Sequence, residues 1–204
     1  TMFVQKKADA FDKDGVILLK DVINSGRAQS VRDEYEKVSA TLENRDIPKD
    51  RPCIVYWRHV EGERKRVGNY QESPELWDLI ENNIVPVVRD LLKGLPSGAN
   101  GKKPFMQLLE TVIFDKPPET SNTLHWHQDV AYFPCSPNNQ IAVWLPFEPV
   151  RRDTGAMNYA VGSHKAGIRG STDLHTREAY PGEERKLIPA NPKEEGFDVV
   201  CMEM

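Results

Sequence analysis

The stretch Leu124-His125-Trp126-His127-Gln128-Asp129 sets two imidazoles, an indole and a carboxylate within six residues. In an extended strand, side chains at i and i+2 point to one face, so His127 and Asp129 project together about 7 Å apart at Cβ. That separation lets both reach one first-row metal ion. His125 shares the face, but its Cβ would stand roughly 13 Å from that of Asp129, too far for metal–ligand bonds of about 2 Å to meet at a common centre. The pair has to be completed from elsewhere. A bare His-x-Asp is also what an ordinary polar strand shows, and the surrounding chain decides between the two readings.

On either side of this stretch the chain is β-rich. Residues 105–115, 124–132, 141–148, 156–161 and 197–204 read as strands, separated by loops rich in Pro, Gly, Asn and Asp. Arg151-Arg152-Asp153-Thr154-Gly155 has the composition of a turn between neighbouring strands, with Gly155 free to take positive φ. Gly162-Ser163-His164-Lys165 closes the strand that follows. Residues 166–195 are long, charged and irregular. Near the mouth of a barrel such a loop is more often a lid or substrate-facing element than filler, with mobile surface as the other reading.

The first half reads differently. Phe11-Asp12-Lys13-Asp14-Gly15 is a turn signal running into a short strand at Val16-Ile17-Leu18-Leu19. A helix begins near Asn24-Ser25, with Ala28, Val31, Tyr35, Val38 and Leu42 recurring at three and four residues. Residues 44–63 lose all periodicity and read as irregular. Ser73-Pro74 starts another helix with Leu76, Leu79 and Ile80 as its apolar stripe, and a second helical run through Val87, Val88, Leu91 and Leu92 begins near Pro86 and ends before Gly94. Helices over about 1–104 and strands over about 105–204, with no βαβ alternation, predict a single domain, mainly β with flanking helices. Two facing sheets, a jelly roll, would bring strands distant in sequence around one interior.

Composition excludes several classes. With 204 residues, 39% hydrophobic and 28% charged, the chain suits one globular core. A formal net charge of −4 gives no general attraction to nucleic acid or to an anionic membrane, and the basic runs Arg64-Lys65-Arg66 and Arg151-Arg152 are short. Cys53, Cys135 and Cys201 are odd in number and widely spaced, without the Cys-x-x-Cys of zinc or redox sites, which points to a reduced compartment. Neither a signal-peptide core nor a run of membrane-spanning length is present in the sequence, so the expectation is a soluble, cytoplasmic protein.

Several further residues fall in a known order. Asp14-Gly15-Val16-Ile17-Leu18 opens the chain, Asp115-Lys116-Pro117-Pro118 precedes the His-Gln-Asp and Tyr132-Phe133-Pro134 follows it. Trp144, Gly155 and Gly162-Ser163-His164-Lys165 come next. In this order and spacing the chain resembles the phytanoyl-CoA dioxygenase family of Fe(II) and 2-oxoglutarate dependent oxygenases, over nearly its whole length. The resemblance implies a double-stranded β-helix, a cupin-like jelly roll. It implies that His127 and Asp129 are two ligands of an iron facial triad, which leaves positions for 2-oxoglutarate and O2. The implied outcome is hydroxylation of a small-molecule substrate with release of succinate and CO2. Halogenating relatives replace the carboxylate with a small residue, so Asp129 argues against that chemistry.

The family's co-substrate pocket falls on Arg66, Val112, Gln128 and Trp144. Arginine at position 66 keeps the charge of the family's more usual lysine and adds a bidentate fork for a carboxylate; Lys65 is its rival if the register shifts by one. Trp144 and Val112 are also ordinary core residues. The family's third ligand, a histidine, and its carboxylate-anchoring arginine lie beyond a strand like residues 197–204. The sequence stops at Met204, before either. The expectation is a piece of a longer enzyme lacking its last strands. A shortened inactive relative serving as a binding module, and a third ligand from His164, His175 or another chain, stand beside it. His59 and His125 read as hydrogen-bonded or exposed. The family covers acyl-CoA oxidation, amino-acid and osmolyte hydroxylation and natural-product tailoring, so its name does not select the substrate.

Overall fold

The computed structural model describes residues 2–42, 53–57, 74–92, 106, 108, 109, 111–115, 124–133, 140–174 and 176–204. Packing divides the chain into two compact units. One comprises Thr1–Lys20, Val88–Lys93 and Thr123–Met204, and the other Asp21–Val87 and Gly94–Asn122.

The second unit is built on a helix pair. Helix α2, Ser25–Leu42, starts where Asn24 predicts it: the Asn24 side-chain oxygen accepts from the Arg27 amide at 2.8 Å and its carbonyl from Ala28 at 3.1 Å. Its apolar stripe buries Val31 completely. It packs against α3, Pro74–Leu79, whose Leu76 and Leu79 are buried as the spacing predicts. Charges close the rim of this contact. The Arg27 guanidinium meets Glu75 at 3.0 Å and also Asp78, and the Glu75 amide donates to Glu34 at 3.2 Å.

Between α3 and α4, Val85–Leu91, the chain widens into a π-turn over Ile80–Ile84, in which the Val85 amide donates five residues back to Ile80. Pro86 explains the widening. It has no N–H to continue an α-helical ladder and its ring crowds the carbonyl four residues earlier, so a wide turn in front of it keeps the helix running. The two helical runs read from sequence are therefore consecutive. The irregular reading of residues 44–63 needs correction at β1, Cys53–Trp57, which pairs antiparallel with β2, Thr111–Asp115, from Cys53 opposite Asp115 to Trp57 opposite Thr111. Of the expected strand at 105–115, Thr111–Asp115 is strand.

The first unit opens with a helix where a turn and a strand are expected. Helix α1, Met2–Asp14, ends at Gly15, whose φ of 72° lets its amide turn back to Phe11 at 2.8 Å, and residues 16–19 follow without a ladder. The acids and Gly that suggest a turn are a helix end. Its last carbonyls are taken by the Gly-Ser-His-Lys motif: the Gly162 amide donates to Asp14 at 2.7 Å and His164 Nε2 to Asp12 at 3.0 Å. The His164 imidazole lies so close over Gly15 that a Cβ there would overlap it. Strand β3, Met157–Ala160, pairs antiparallel with β4, Val199–Met202, and Val150 and Met204 extend the pairing by exchanging backbone bonds of 2.7 and 2.9 Å. The expected turn before β3 is present, a 3-10 turn over Arg152–Thr154 closed by Gly155 at φ 98°.

Residues 124–128, expected as the start of a strand, form no ladder and bend at Trp126, with Gln128 extended. The amides of Tyr132 and Phe133 then both turn back to the Asp129 carbonyl at 2.9 Å, closing a 3-10 turn over Asp129–Ala131 that no ladder can pass. Residues 141–146 run without a ladder. Among the described residues the sheets are therefore two separate antiparallel pairs, and no helix is long and apolar enough to cross a membrane.

Two substitutions test these contacts. Leu79→Ala is expected to lower unfolding free energy by about 3 kcal/mol, read from the urea midpoint. Gly15→Ala combines a left-handed backbone with a clash on His164 and is expected to lower Tm more than Gly162→Ala, where φ is 76° but nothing lies within 4 Å of the added methyl.

Candidate metal centre

His127 is held from both sides. Its Nδ1 lies 2.7 Å from the His125 carbonyl, an acceptor only, so Nδ1 carries a proton and donates it. That leaves the Nε2 lone pair turned to Asp129, with Oδ1 3.4 Å away. The extended Gln128 puts both side chains on one side, and the 3-10 turn that begins at Asp129 brings them closer than a flat strand would. The imidazole is 21% exposed and the carboxylate 49%, so the pair opens to solvent at its acidic end.

Without a metal, this arrangement favours imidazolium. The hydrogen bond to Asp129 is the largest cause raising the His127 pKa above 6.5, burial opposes it, and the His125 carbonyl and the Asp129 charge add to it. A metal ion would replace the Nε2 proton. Cis ligands of an octahedral first-row ion, each about 2.1 Å from it, stand about 3 Å apart, so the observed pair needs only a few tenths of an ångström of adjustment. The donors fit such an ion, and Nδ1 bonded to a carbonyl is the usual way a ligating histidine is oriented. Among the described residues no third His, Cys, Asp or Glu joins them.

His127 lines a cleft of about 130 Å³ with Trp126, Gln128, Tyr159, Arg169 and Glu195. Burial, and then the Asp129 charge, push the Tyr159 phenol up, so it stays protonated at neutral pH. Arg169 meets Glu195 at 2.8 Å, and Lys186 also reaches Glu195 and holds its carboxyl below the usual range. The Gln128 side chain spans two backbone groups: Nε2 donates to the Gly167 carbonyl at 3.1 Å and Oε1 accepts from the Arg169 amide at 2.8 Å. Trp144 is half-buried in the extended segment after Gln140 and does not line the cleft. Val112 lies in β2 opposite Tyr56, in the other unit. Arg66, Lys65, His59 and His175 lie outside the described residues. His164 is engaged at the end of α1 through the Asp12 carbonyl.

Residues 166–195, read as a long irregular loop, are braced internally. Glu183 accepts from the Ser171 amide at 2.7 Å, from its hydroxyl at 2.9 Å and from Arg185 at 2.6 Å, and Arg185 holds its carboxyl far below the usual carboxylate range. Tyr132, of the Tyr132-Phe133-Pro134 motif, reaches this segment as well. Its hydroxyl donates to the Thr172 carbonyl at 2.6 Å and accepts from the Thr172 amide at 3.2 Å. Arg169 and Glu195 gave no sequence signal, since nothing in their local pattern marks either as facing His127.

The electrostatics have a measurable consequence. In the metal-free chain, NMR titration is expected to place the His127 midpoint above 6.5, and Asp129→Asn is expected to bring it down. Because the folded pKa is raised, the pair's contribution to folding is full below the unfolded value and is lost as pH rises through the folded one.

Comparison with known proteins identifies the family of the chain. The family model described as "Phytanoyl-CoA dioxygenase (PhyH)" matches residues 11–204. Among curated proteins, the chain is similar to "Phytanoyl-CoA dioxygenase, peroxisomal" of Bos taurus, 23% identical over 172 residues, covering 78% of this chain and 47% of that protein. The protein of the same name in Mus musculus is 24% identical over 170 residues, with the same coverage. The chain thus spans about half the length of the curated relatives it matches. No solved structure gives a significant match. With the family pattern running from the end of α1 through β4, the chain belongs to the phytanoyl-CoA dioxygenase family.

Proposed function

We propose that this chain carries two of the protein ligands of an Fe(II) and 2-oxoglutarate dependent dioxygenase that hydroxylates a small molecule. The observation that carries the reading is the convergence of His127 Nε2 and Asp129 Oδ1 at 3.4 Å, with Nδ1 fixed by the His125 carbonyl. Family membership supports the same kind of reaction, and a jelly-roll domain is the fold it implies.

Iron(II), when bound with 2-oxoglutarate and O2, supplies the oxidising chemistry. The chain's own residues do the rest. His127 offers a neutral nitrogen in a fixed orientation, and Asp129 supplies the anionic oxygen that offsets the ion's charge. The cleft of about 130 Å³ beside His127 includes Tyr159, whose phenol stays protonated at neutral pH and so able to donate a hydrogen bond. Gln128, between the two ligands, holds residues 167–169 at the edge of that cleft. The co-substrate roles proposed for Arg66, Val112 and Trp144 rest on family position alone. A second reading, a binding module of this family without turnover, is favoured by one observation: only two ligands converge among the described residues.

Titration with Fe(II) and 2-oxoglutarate, followed by succinate release, separates the two. Wild type is expected to form succinate, His127→Ala and Asp129→Ala to lose at least 100-fold, and Arg66→Ala to raise the 2-oxoglutarate concentration required. Metal uptake without succinate favours the binding module. Succinate formation that survives both ligand substitutions removes the site assignment.

A further inference from the structure

The metal-ligand stretch and residues 166–180 are joined at a series of points. The His125 amide donates to the Leu174 carbonyl at 3.0 Å, and Gln128 spans Gly167 and Arg169. The last point is the Tyr132 hydroxyl, which takes both the amide and the carbonyl of Thr172. A side chain there does what a neighbouring strand would do, satisfying both backbone groups of one residue. Thr172 also pairs with Ala179 in an isolated antiparallel bridge, and the Tyr180 amide donates to Ser171. Residues 171–180 therefore hang on Tyr132 as a small folded unit.

The same tyrosine touches the metal site. Its ring meets the His127 imidazole edge-on, with centroids 6.0 Å apart and planes at 81°, and meets Tyr180 at 6.4 Å and 78°. Both contacts fall in the range where aromatic edges and faces attract. Its backbone is no freer, since the Tyr132 amide donates to the carbonyl of Asp129. One side chain is thus held by the ligand stretch at its base and by Thr172 at its tip. Its face is set by the imidazole.

We infer that Tyr132 is a positioning residue that couples residues 171–180 to the orientation of His127, so that a metal ion on His127 tightens this segment and a loosened segment weakens the metal site. The inference rests on the metal reading above. A turn of the imidazole would disturb the tyrosine ring packed edge-on against it, and with it the two Thr172 bonds at the ring's far end. Coupling between binding and closure acts equally in both directions.

The test is amide exchange of the full chain, resolved by residue, with and without saturating Mn(II), an ion that accepts imidazole and carboxylate ligands. In wild type, Mn(II) is expected to slow exchange at Thr172 about tenfold. Tyr132→Phe keeps the ring beside His127 and removes the hydroxyl. It is expected to exchange fast at Thr172 with or without Mn(II), and to bind Mn(II) more weakly by the same factor. Thr172→Ala keeps both backbone bonds and is expected to respond as wild type does, which separates the tether from general loosening. Equal slowing in Tyr132→Phe and wild type overturns the inference, as does Mn(II) binding that leaves Thr172 unchanged in wild type. If wild type takes up no Mn(II), the His127–Asp129 assignment falls and the coupling with it, a result distinct from bound Mn(II) with an unresponsive Thr172.

Discussion

Backbone groups that leave a sheet need other partners, and the His-Gln-Asp stretch depends on how that need is met. Past Gln128 the chain turns away from any ladder, so its polar groups cannot be satisfied by a neighbouring strand. The turn closing on the Asp129 carbonyl satisfies the Tyr132 and Phe133 amides, the Leu174 carbonyl takes the His125 amide, and the Gln128 and Tyr132 side chains bond the backbone of Gly167, Arg169 and Thr172. The His125 carbonyl, freed from strand pairing, is the acceptor that orients His127. An uninterrupted strand through this region would have used that carbonyl in a ladder and left the imidazole to rotate.

The approach of His127 to Asp129 was legible because its signal is local. An i, i+2 relation in an extended segment carries its own geometry, and only Gln128 had to be extended for His127 and Asp129 to meet. The same holds for the apolar stripes of α2 and α3, whose Val31 and Leu79 are fully buried, and for Gly155 and Gly162, which take the positive φ that their turns require. Each is decided within one or two turns of chain.

What was not legible depends on partners far away. Cys53–Trp57 becomes a strand because Thr111–Asp115 lies beside it, and its own short run between charged segments does not announce this. Arg169 reaches the cleft because Gln128 holds its backbone, a contact with no periodicity. Helix α1 was missed for a related reason: its closing acids and Gly15 look like a turn in isolation, and only the approach of Gly162 and His164 shows them to be a helix end.

That helix end also orders events in time. Synthesis runs from the N-terminal side, so α1 is made before the residues that close it, and a thirteen-residue helix is marginal in water without help. The histidine that completes its C-terminus is 152 residues further on. Until residue 164 has been synthesised, the Asp12 carbonyl lacks its imidazole donor and the space above Gly15 is open. This contact makes α1 one of the later parts to settle although it precedes its partners in the chain, because a contact so distant in sequence cannot form until both segments exist.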